Sequence, residues 1–196
     1  MTDTDTYIRR LAESNPLREP TLRLAIQALR LPSGSRGLDV GCGIGLQALP
    51  LAEAVGSAGH VTGLDQSPEF LLYADEIVKK SGLAQRISFR QGDMSQLPFD
   101  DDAFDWVWSA DCVGYPVGEV LPLLVVRPGG SVAILAWSSQ QLLPGYPLLE
   151  ARLNGTCSGF APFVKGKRPE SPDFILNLPD YYAFFTYSMF RGKVSK

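Results

Sequence analysis

The residues best suited to chemistry in this sequence are an aspartate and three glycines at every second position, in the stretch Asp39-Val40-Gly41-Cys42-Gly43-Ile44-Gly45. Leu38 and Val40 predict a short buried strand before the glycines, and an apolar helical run begins at Leu46. Because glycine has no Cβ, the backbone of such a turn can touch a ligand, and the first N–H groups of the helix can bind it. A strand, a glycine turn and a helix in this order are typical of a nucleotide-binding site.

The spacing of the glycines separates two classes of cofactor. A dinucleotide fingerprint, G-x-G-x-x-G, would need a third glycine at position 46, which is Leu46. The pattern D-x-G-x-G-x-G instead resembles the first motif of the class I S-adenosylmethionine-dependent methyltransferases, in which a zwitterionic methionine tail beside a sulfonium favours a nearby carboxylate. The resemblance implies S-adenosylmethionine as the cofactor, bound by Asp39, Gly41, Cys42, Gly43 and Gly45. A glycine turn that only permits close packing of strand and helix is the structural alternative.

An acid also follows the second predicted strand. Asp65 comes after Val61–Leu64, where a carboxylate can accept hydrogen bonds from both hydroxyls of a ribose, and Gln66 beside it joins the candidate cofactor residues. A dinucleotide enzyme places an acid near the same point, so Asp65 indicates a ribose without identifying the cofactor that carries it. A structural acid at the N-terminus of the next helix is the alternative.

A third segment follows the predicted strand 87–90. There Gly92-Asp93 and Met94 resemble the adenine-binding segment of the methyltransferases. The resemblance implies that Asp93 accepts from the exocyclic amine of adenine while Met94 packs near the ring.

The loop after the fourth predicted strand is the candidate site for the methyl acceptor. In an open parallel sheet, ligands gather at the carboxyl ends of the strands, near the point where the strand order reverses. Ser109 is therefore expected beside the methionine end of the cofactor, and Asp111 and Tyr115 are the candidate catalytic residues, which could take a proton directly or through water. His60, the only histidine, opens the second strand at the other edge of the sheet, so a histidine base is not expected.

The N-terminal segment, residues 1–34, is expected to pack on the core as helices. The sequence predicts two of them, over 4–14 and 20–30, separated by Asn15-Pro16 and Pro20. In the resembling family such a segment often covers the cofactor, which would bring Tyr7 to the site; a core or surface position for Tyr7 is the alternative.

Two further helices would connect the first three strands. The run Leu46–Val55 contains Pro50, which predicts a kink or a delayed start. The next helix has Ser67 as its N-cap, Pro68 at its first position and Gly82 at its end.

Together these signals predict an α/β fold, a doubly wound, mostly parallel Rossmann-like sheet with helices on both faces and its S-adenosylmethionine-binding core at 35–137. The turn Arg127-Pro128-Gly129-Gly130 before a buried strand, Ser131–Trp137, resembles the L-K-P-G-G turn of the family. Residues 138–196 are rich in proline and lack a clear pair of strand signals, so the last part of the sheet is either incomplete or covered. This extension completes the domain or forms an interface.

The aromatic run 181–190 allows three interpretations: a late strand, a helix, or an exposed patch through which the chain forms a homodimer.

Composition narrows the class of protein further. A net charge of −3 over 196 residues disfavours a nucleic-acid surface, and no apolar run reaches the length of a membrane span. The N-terminus is polar and is not a signal peptide. The three cysteines are widely spaced and no Cys/His pair has metal-ligand spacing, which predicts a reduced, cytoplasmic protein without a metal site.

The predicted function is the transfer of a methyl group from S-adenosylmethionine to a small-molecule acceptor by in-line displacement, with S-adenosylhomocysteine as the product. Such a reaction needs alignment of an already activated methyl group more than it needs a nucleophile. Two alternatives stay open at this point. One is a cofactor-binding protein of the same fold without turnover, and the other is an NAD-dependent oxidoreductase.

Overall fold

The computed structural model describes residues 3–112, 125–137 and 187–194. The chain divides into two compact units. The first comprises Met1–Ala136 and Met189–Lys196, and it contains nearly all of the described residues; the second is Trp137–Ser188. The elements in chain order are α1 Asp3–Leu29, β1 Arg36–Val40, α2 Ala48–Val55, β2 His60–Asp65, α3 Pro68–Ser81, β3 Ile87–Gln91, β4 Phe104–Ala110, β5 Val126–Trp137 and β6 Tyr187–Lys193.

The six strands form one open sheet in the order β3-β2-β1-β4-β5-β6. The first five strands pair in parallel. β6 runs antiparallel to β5, since its end lies beside the start of β5: Gly129 N donates to Val194 O (3.0 Å) and Val194 N to Gly130 O (3.1 Å). The order of the strands reverses between β1 and β4, the position where sheets of this kind form a ligand crevice. The predicted α/β fold with a mostly parallel sheet is confirmed.

The first helix is one continuous element, so the prediction of two helices was wrong. Pro16 and Pro20 lie inside α1. Both are exposed and four residues apart, so they share the outer face, where the carbonyls that lose an N–H partner can bond to water. Glu19 reinforces this part of the helix, because it accepts from Asn15 Nδ2 (3.1 Å) and Arg23 Nε (2.7 Å). Side-chain and tertiary contacts thus outweigh the cost of the prolines.

The next two helices begin where the sequence predicts. Helix α2 begins at Ala48, which places Pro50 in the first turn, where its missing N–H breaks no helical hydrogen bond. In α3, Ser67 Oγ accepts from Phe70 N (3.2 Å), Pro68 is the first residue, and Gly82 ends the helix with φ +76°. The delayed start and both caps are confirmed.

The predicted turn before the fifth strand is a bulge inside β5. Phe104 lies opposite Val126, but Trp106 lies opposite Ser131, so the four residues 127–130 of β5 lie opposite Asp105 alone and three of them are extra. The predicted strand Ser131–Trp137 is confirmed, and β5 extends it back to Val126.

In the C-terminal part, the end of the aromatic run, from Tyr187, is a late strand, β6. Residues 138–186, and with them the rest of the aromatic run, lie outside the described residues, so the homodimer and the interface at 138–196 stay predictions.

The core between the sheet and the helices supports the carboxyl edge of the sheet. Trp106 and Trp108 on β4 are fully buried, and each indole N–H has a partner: Trp106 donates to Ser35 Oγ (2.9 Å) and Trp108 to Gln47 Oε1 (2.8 Å). Gly37 on β1 lies against the first of these rings, since a Cβ there would be 2.0 Å from Trp106. These contacts hold β1 and β4 next to each other, and the crevice lies at the carboxyl ends of these two strands.

Candidate functional site

A cavity of about 490 Å³ lies at the carboxyl edge of the sheet, within the usual size range for small-molecule sites. It is lined by the loop after β1, the residues that follow β2, β3 and β4, the start of α3 and one face of α1. Of the predicted site residues it brings together Gly41, Cys42, Gly43, Asp65, Gln66, Asp93, Met94 and Asp111. Asp39, Gly45 and Ser109 are absent from its lining, and Tyr115 lies outside the described residues.

The three glycines of the first motif have different tasks. At Gly43, with φ +53°, no atom lies within 4 Å of the place a Cβ would take, so the bare backbone faces the cavity. At Gly41, with φ +71°, a Cβ would be 2.1 Å from Cys112 Sγ, and at Gly45 it would be 2.7 Å from Ala74 Cβ. Gly43 therefore leaves room for a ligand, while Gly45 serves the packing of the turn against α3.

Asp65 ties the glycine turn to the end of β2. Its Oδ2 accepts from Gly43 N (2.9 Å), and its Oδ1 accepts from Ser67 N at the start of α3 (3.0 Å). Each oxygen of an ionised carboxylate has room for another donor. Asp65 therefore occupies the structural position considered for it, as the acid at the start of a helix, and it also lines the cavity.

Asp39 lies beneath the glycine turn, in β1 between Gly63 of β2 and Trp108 of β4. Its carboxyl is 1% exposed, and Oδ2 has no hydrogen-bond partner. Burial raises the pKa of Asp39 to about 7, and the charge of Asp65 adds to the shift. A buried carboxylate without a partner is costly, so this position favours a ligand that carries positive charge.

The hydroxyl of Ser109 has a structural task. Ser109 is buried in β4, and its Oγ donates to the carbonyl of Val40 (3.0 Å) at the end of β1. β4 continues to Ala110, the next residue, which lines the cavity, and the role of Ser109 in cofactor binding stays a prediction. The bond supports the last residue before the glycine turn.

Adenine-site candidates Asp93 and Met94 follow the end of β3. Asp93 Oδ1 accepts from Ser95 N (2.8 Å), and this backbone bond lowers the pKa of Asp93. Met94 lines the cavity and packs against the buried cluster that includes Leu38, Val40 and Leu64. The segment presents an ionised acceptor and an apolar side chain at the same border of the cavity.

Asp111 forms an ion pair with Arg18 of α1, and both side chains are about a quarter exposed. The backbone of Asp111 has φ +57°, which is unusual for a residue with a side chain, and its N–H donates to Leu135 O (2.9 Å). The pair joins the first helix to the loop after β4 on the cavity wall. Sequence reasoning found Asp111 but not Arg18.

One face of α1 forms a wall of the cavity that the sequence reasoning largely missed. Its members are Tyr7, Leu11, Asn15, Arg18 and Leu22. Their spacing of three and four residues is the signature of a single helical face, and the predicted break at Asn15-Pro16 concealed it. The ring of Tyr7 stacks on Phe70 of α3, with 5.8 Å between centroids and 17° between planes.

The two thiols near this edge, and the histidine at the opposite edge, are not suited to catalysis in the cavity. Burial, with Asp39 and Asp65 nearby, raises the pKa of the Cys42 thiol, and burial raises the pKa of Cys112 to about 11. Both thiols are thus protonated near neutral pH. His60 opens β2, away from the cavity, with Nε2 2.9 Å from Ser88 Oγ. Burial, with Arg36 nearby, lowers the pKa of His60.

Comparison with known sequences gives a domain match. Residues 38–127 match the family described as a methyltransferase domain. The demethylmenaquinone methyltransferase of Bacillus subtilis is 34% identical over 133 residues, which are 64% of this chain and 53% of that protein. The chain spans about half the length of the curated relatives it matches.

Comparison with solved structures extends the match to the fold. A SAM dependent methyltransferase from Aquifex aeolicus is 26% identical with a TM-score of 0.62, over 76% of this chain and 81% of that one. The [4+2]-cyclase SpnF is 30% identical with a TM-score of 0.55, over 62% of this chain and 46% of that one. One fold therefore carries more than one named reaction among the proteins similar to this chain.

Two searches of the described residues complete the description. No three metal-ligating side chains cluster among them, and none of their helices combines the length and apolar character needed to cross a bilayer.

Proposed function

We propose that the chain belongs to the class I S-adenosylmethionine-dependent methyltransferases and transfers a methyl group from S-adenosylmethionine, the cofactor of that family, to a small-molecule acceptor. The observation that carries the proposal is the cavity at the carboxyl edge of the sheet. Residues that follow three successive strands meet there, in the order expected for the methionine, ribose and adenine parts of one ligand.

We assign the cofactor contacts to five of the lining residues. The open backbone at Gly43 and the turn at Gly41 take the methionine part, Asp65 takes the ribose hydroxyls, and Asp93 with Met94 takes the adenine. The assignment is supported by the ionised state of Asp93 and by the hydrogen bonds that fix Asp65 in place.

The cofactor supplies an activated methyl group, so the protein has to align it and provide a suitable charge environment. Asp39 supplies negative charge beneath the glycine turn, and its unpartnered Oδ2 fits a ligand with an ammonium and a sulfonium. One face of α1 bounds the cavity on one side.

We propose an apolar or aromatic acceptor. The α1 side of the cavity presents the rings of Tyr7 and Phe70 and the aliphatic side chain of Leu11. The matched relatives are named demethylmenaquinone methyltransferases, so demethylmenaquinone is the first acceptor to assay. The cytoplasm stays the proposed location, supported by the free thiols of Cys42 and Cys112.

Calorimetric titration with S-adenosylmethionine, S-adenosylhomocysteine and NAD tests the cofactor. We expect both sulfur compounds to bind and NAD to give no heat, because the third glycine of a dinucleotide fingerprint is absent. Binding of NAD without binding of either sulfur compound would establish the oxidoreductase alternative and end the proposal.

A second candidate function is favoured by the similarity to the cyclase SpnF. A protein with this cavity could bind the cofactor and perform no methyl transfer. Incubation with methyl-labelled S-adenosylmethionine and demethylmenaquinone, followed by a wider set of apolar ring compounds, separates the two. Labelled product supports the methyltransferase, whereas cofactor binding without product across the whole set supports this second candidate.

Substitution of Asp111 tests the proposed proton acceptor. We expect Asp111→Asn to lower kcat by about 100-fold, the scale of general-base catalysis, while the affinity for S-adenosylhomocysteine changes by less than about threefold. The exposed Asp101→Asn is the matched control and should leave both quantities unchanged. Equal losses of turnover and affinity would assign Asp111, with its partner Arg18, to cofactor binding instead.

A further inference from the structure

A second cavity, of about 250 Å³, lies at the opposite, amino edge of the sheet. It is lined by the residues that follow α1, by the start of β4, by the bulge of β5 and by the end of β6. Its floor is apolar and includes the buried side chains of Leu29, Trp106 and Val107. The proposed methyl transfer uses none of these residues, so the cavity requires its own explanation.

The rim of this cavity is strongly cationic. Four basic residues line it, Arg30, Arg127, Arg191 and Lys193, and Asp105 is the one acid among the described lining residues. The chain as a whole carries a net charge of −3. Positive charge is thus concentrated at this cavity against the overall balance of the protein, which is the arrangement that attracts an anion.

The one acid is already engaged by the protein itself. Asp105 Oδ1 lies 2.5 Å from Arg127 Nε, and its Oδ2 accepts from the backbone N of Arg36 (2.7 Å). Within the described part of the chain, Arg30, Arg191 and Lys193 have no carboxylate at ion-pair distance. Three positive charges therefore remain available to a ligand.

Each of these basic residues has a local structural explanation, but none of these explanations accounts for their clustering around one cavity. A basic residue after a helix C-terminus is favourable for Arg30, and charged residues protect an edge strand such as β6. Arg191 and Lys193 are two residues apart in β6, so they share one face of the sheet. Three separate elements nevertheless direct exposed cations to one hollow, where their positive fields add.

We propose that this cavity binds a phosphate group, carried either by a phosphorylated small molecule or by an anionic lipid headgroup. Guanidinium groups bind phosphate oxygens through paired N–H donors, and the cavity offers Arg30 and Arg191 for this with Lys193 as a point charge. Its volume lies below the range of drug-sized sites and suits one or two phosphate groups. The site is independent of the cofactor cavity, so neither proposal depends on the other.

The soluble form of the ligand is tested by titrating the full chain with inorganic pyrophosphate at low ionic strength. We expect saturable binding that falls by at least about tenfold in Arg191→Ala/Lys193→Ala and in Arg30→Ala. The matched control is Lys79→Ala/Lys80→Ala, which removes two exposed lysines at the end of α3 and should change the affinity by less than about twofold. Thermal melting of each variant shows whether the chain is folded.

The lipid form is tested by sedimentation with vesicles of phosphatidylcholine alone or mixed with phosphatidylglycerol. Pelleting that needs phosphatidylglycerol and is lost in Arg191→Ala/Lys193→Ala assigns the site to a lipid headgroup. Pyrophosphate binding without pelleting assigns it to a soluble phosphorylated compound. The proposal is overturned if wild type binds neither probe, or if both double variants lose binding equally.

Discussion

Asp65→Ala is expected to weaken the binding of S-adenosylhomocysteine by about 100-fold. The change removes a charged acceptor for the ribose hydroxyls, and hydrogen bonds to charged groups contribute about 1.5–3 kcal/mol each. A loss of about 3 kcal/mol corresponds to this factor in affinity. Calorimetric titration measures it, with the exposed Asp75→Ala on α3 as a matched control that should bind like wild type.

The carboxylate of Asp65 also fixes the glycine turn, because it accepts from Gly43 N and Ser67 N. A loss of affinity could therefore come from the turn rather than from the ligand contact. A cofactor analogue that lacks the ribose 2′-hydroxyl separates the two causes, since wild type should bind it more weakly than S-adenosylhomocysteine while Asp65→Ala should bind both alike. If wild type and variant discriminate equally, Asp65 acts through the turn alone, and its assignment to the ribose is wrong.

The parts of the site that the sequence predicts are those with a local cause. The turn after β1 follows from glycines that reach positive φ, and the start of α3 follows from a serine cap with a proline behind it. The place of Asp65 at the carboxyl edge of the sheet follows from its position at the end of a predicted strand. Each of these signals involves a few neighbouring residues, so no knowledge of tertiary contacts is needed.

Other parts of the site depend on contacts between distant elements. The spacing of the glycines does not predict that Gly45 packs against Ala74 while Gly43 faces the cavity. This difference depends on the position of α3, which carries Ala74. Arg18 joins the site through Asp111, far along the chain, and through a helix that continues despite its prolines. Ser109 lies within β4, which ends at Ala110, and its hydroxyl bonds to the carbonyl of Val40 on the neighbouring strand, a contact between residues far apart in the sequence.

Asp39→Asn is expected to change how stability depends on pH. The folded-state pKa of Asp39, about 7, lies above its ordinary value of 3.8, so the protonated form is the one the fold favours. The destabilisation from ionising this buried group is absent below about pH 4, grows as the pH rises and is complete above about pH 7. Wild type therefore loses stability over this range relative to Asp39→Asn, by on the order of 4 kcal/mol.

Urea unfolding of both proteins between about pH 4 and pH 8 measures this difference. The amide of the variant adds an offset that does not depend on pH, so the slope of the difference against pH is the quantity to compare. A difference that stays constant across the range would show that Asp39 has the same pKa in the folded and the unfolded protein.

Binding of the cofactor should make the ionised form of Asp39 the favoured one, whereas the fold alone favours the protonated form. An ammonium and a sulfonium above the glycine turn favour the ionised carboxylate, so below about pH 7 binding must release the proton of Asp39. We therefore expect the affinity of wild type for S-adenosylmethionine to rise with pH up to about pH 7, by at most tenfold per pH unit, and to level off above it.

The affinity of Asp39→Asn should not depend on pH over this range. The variant should also lose more affinity for S-adenosylmethionine, which carries a sulfonium, than for S-adenosylhomocysteine, whose sulfur is uncharged. Parallel profiles for the two proteins would mean that Asp39 does not sense the charge of the ligand, and its raised pKa would then reflect burial and Asp65 alone.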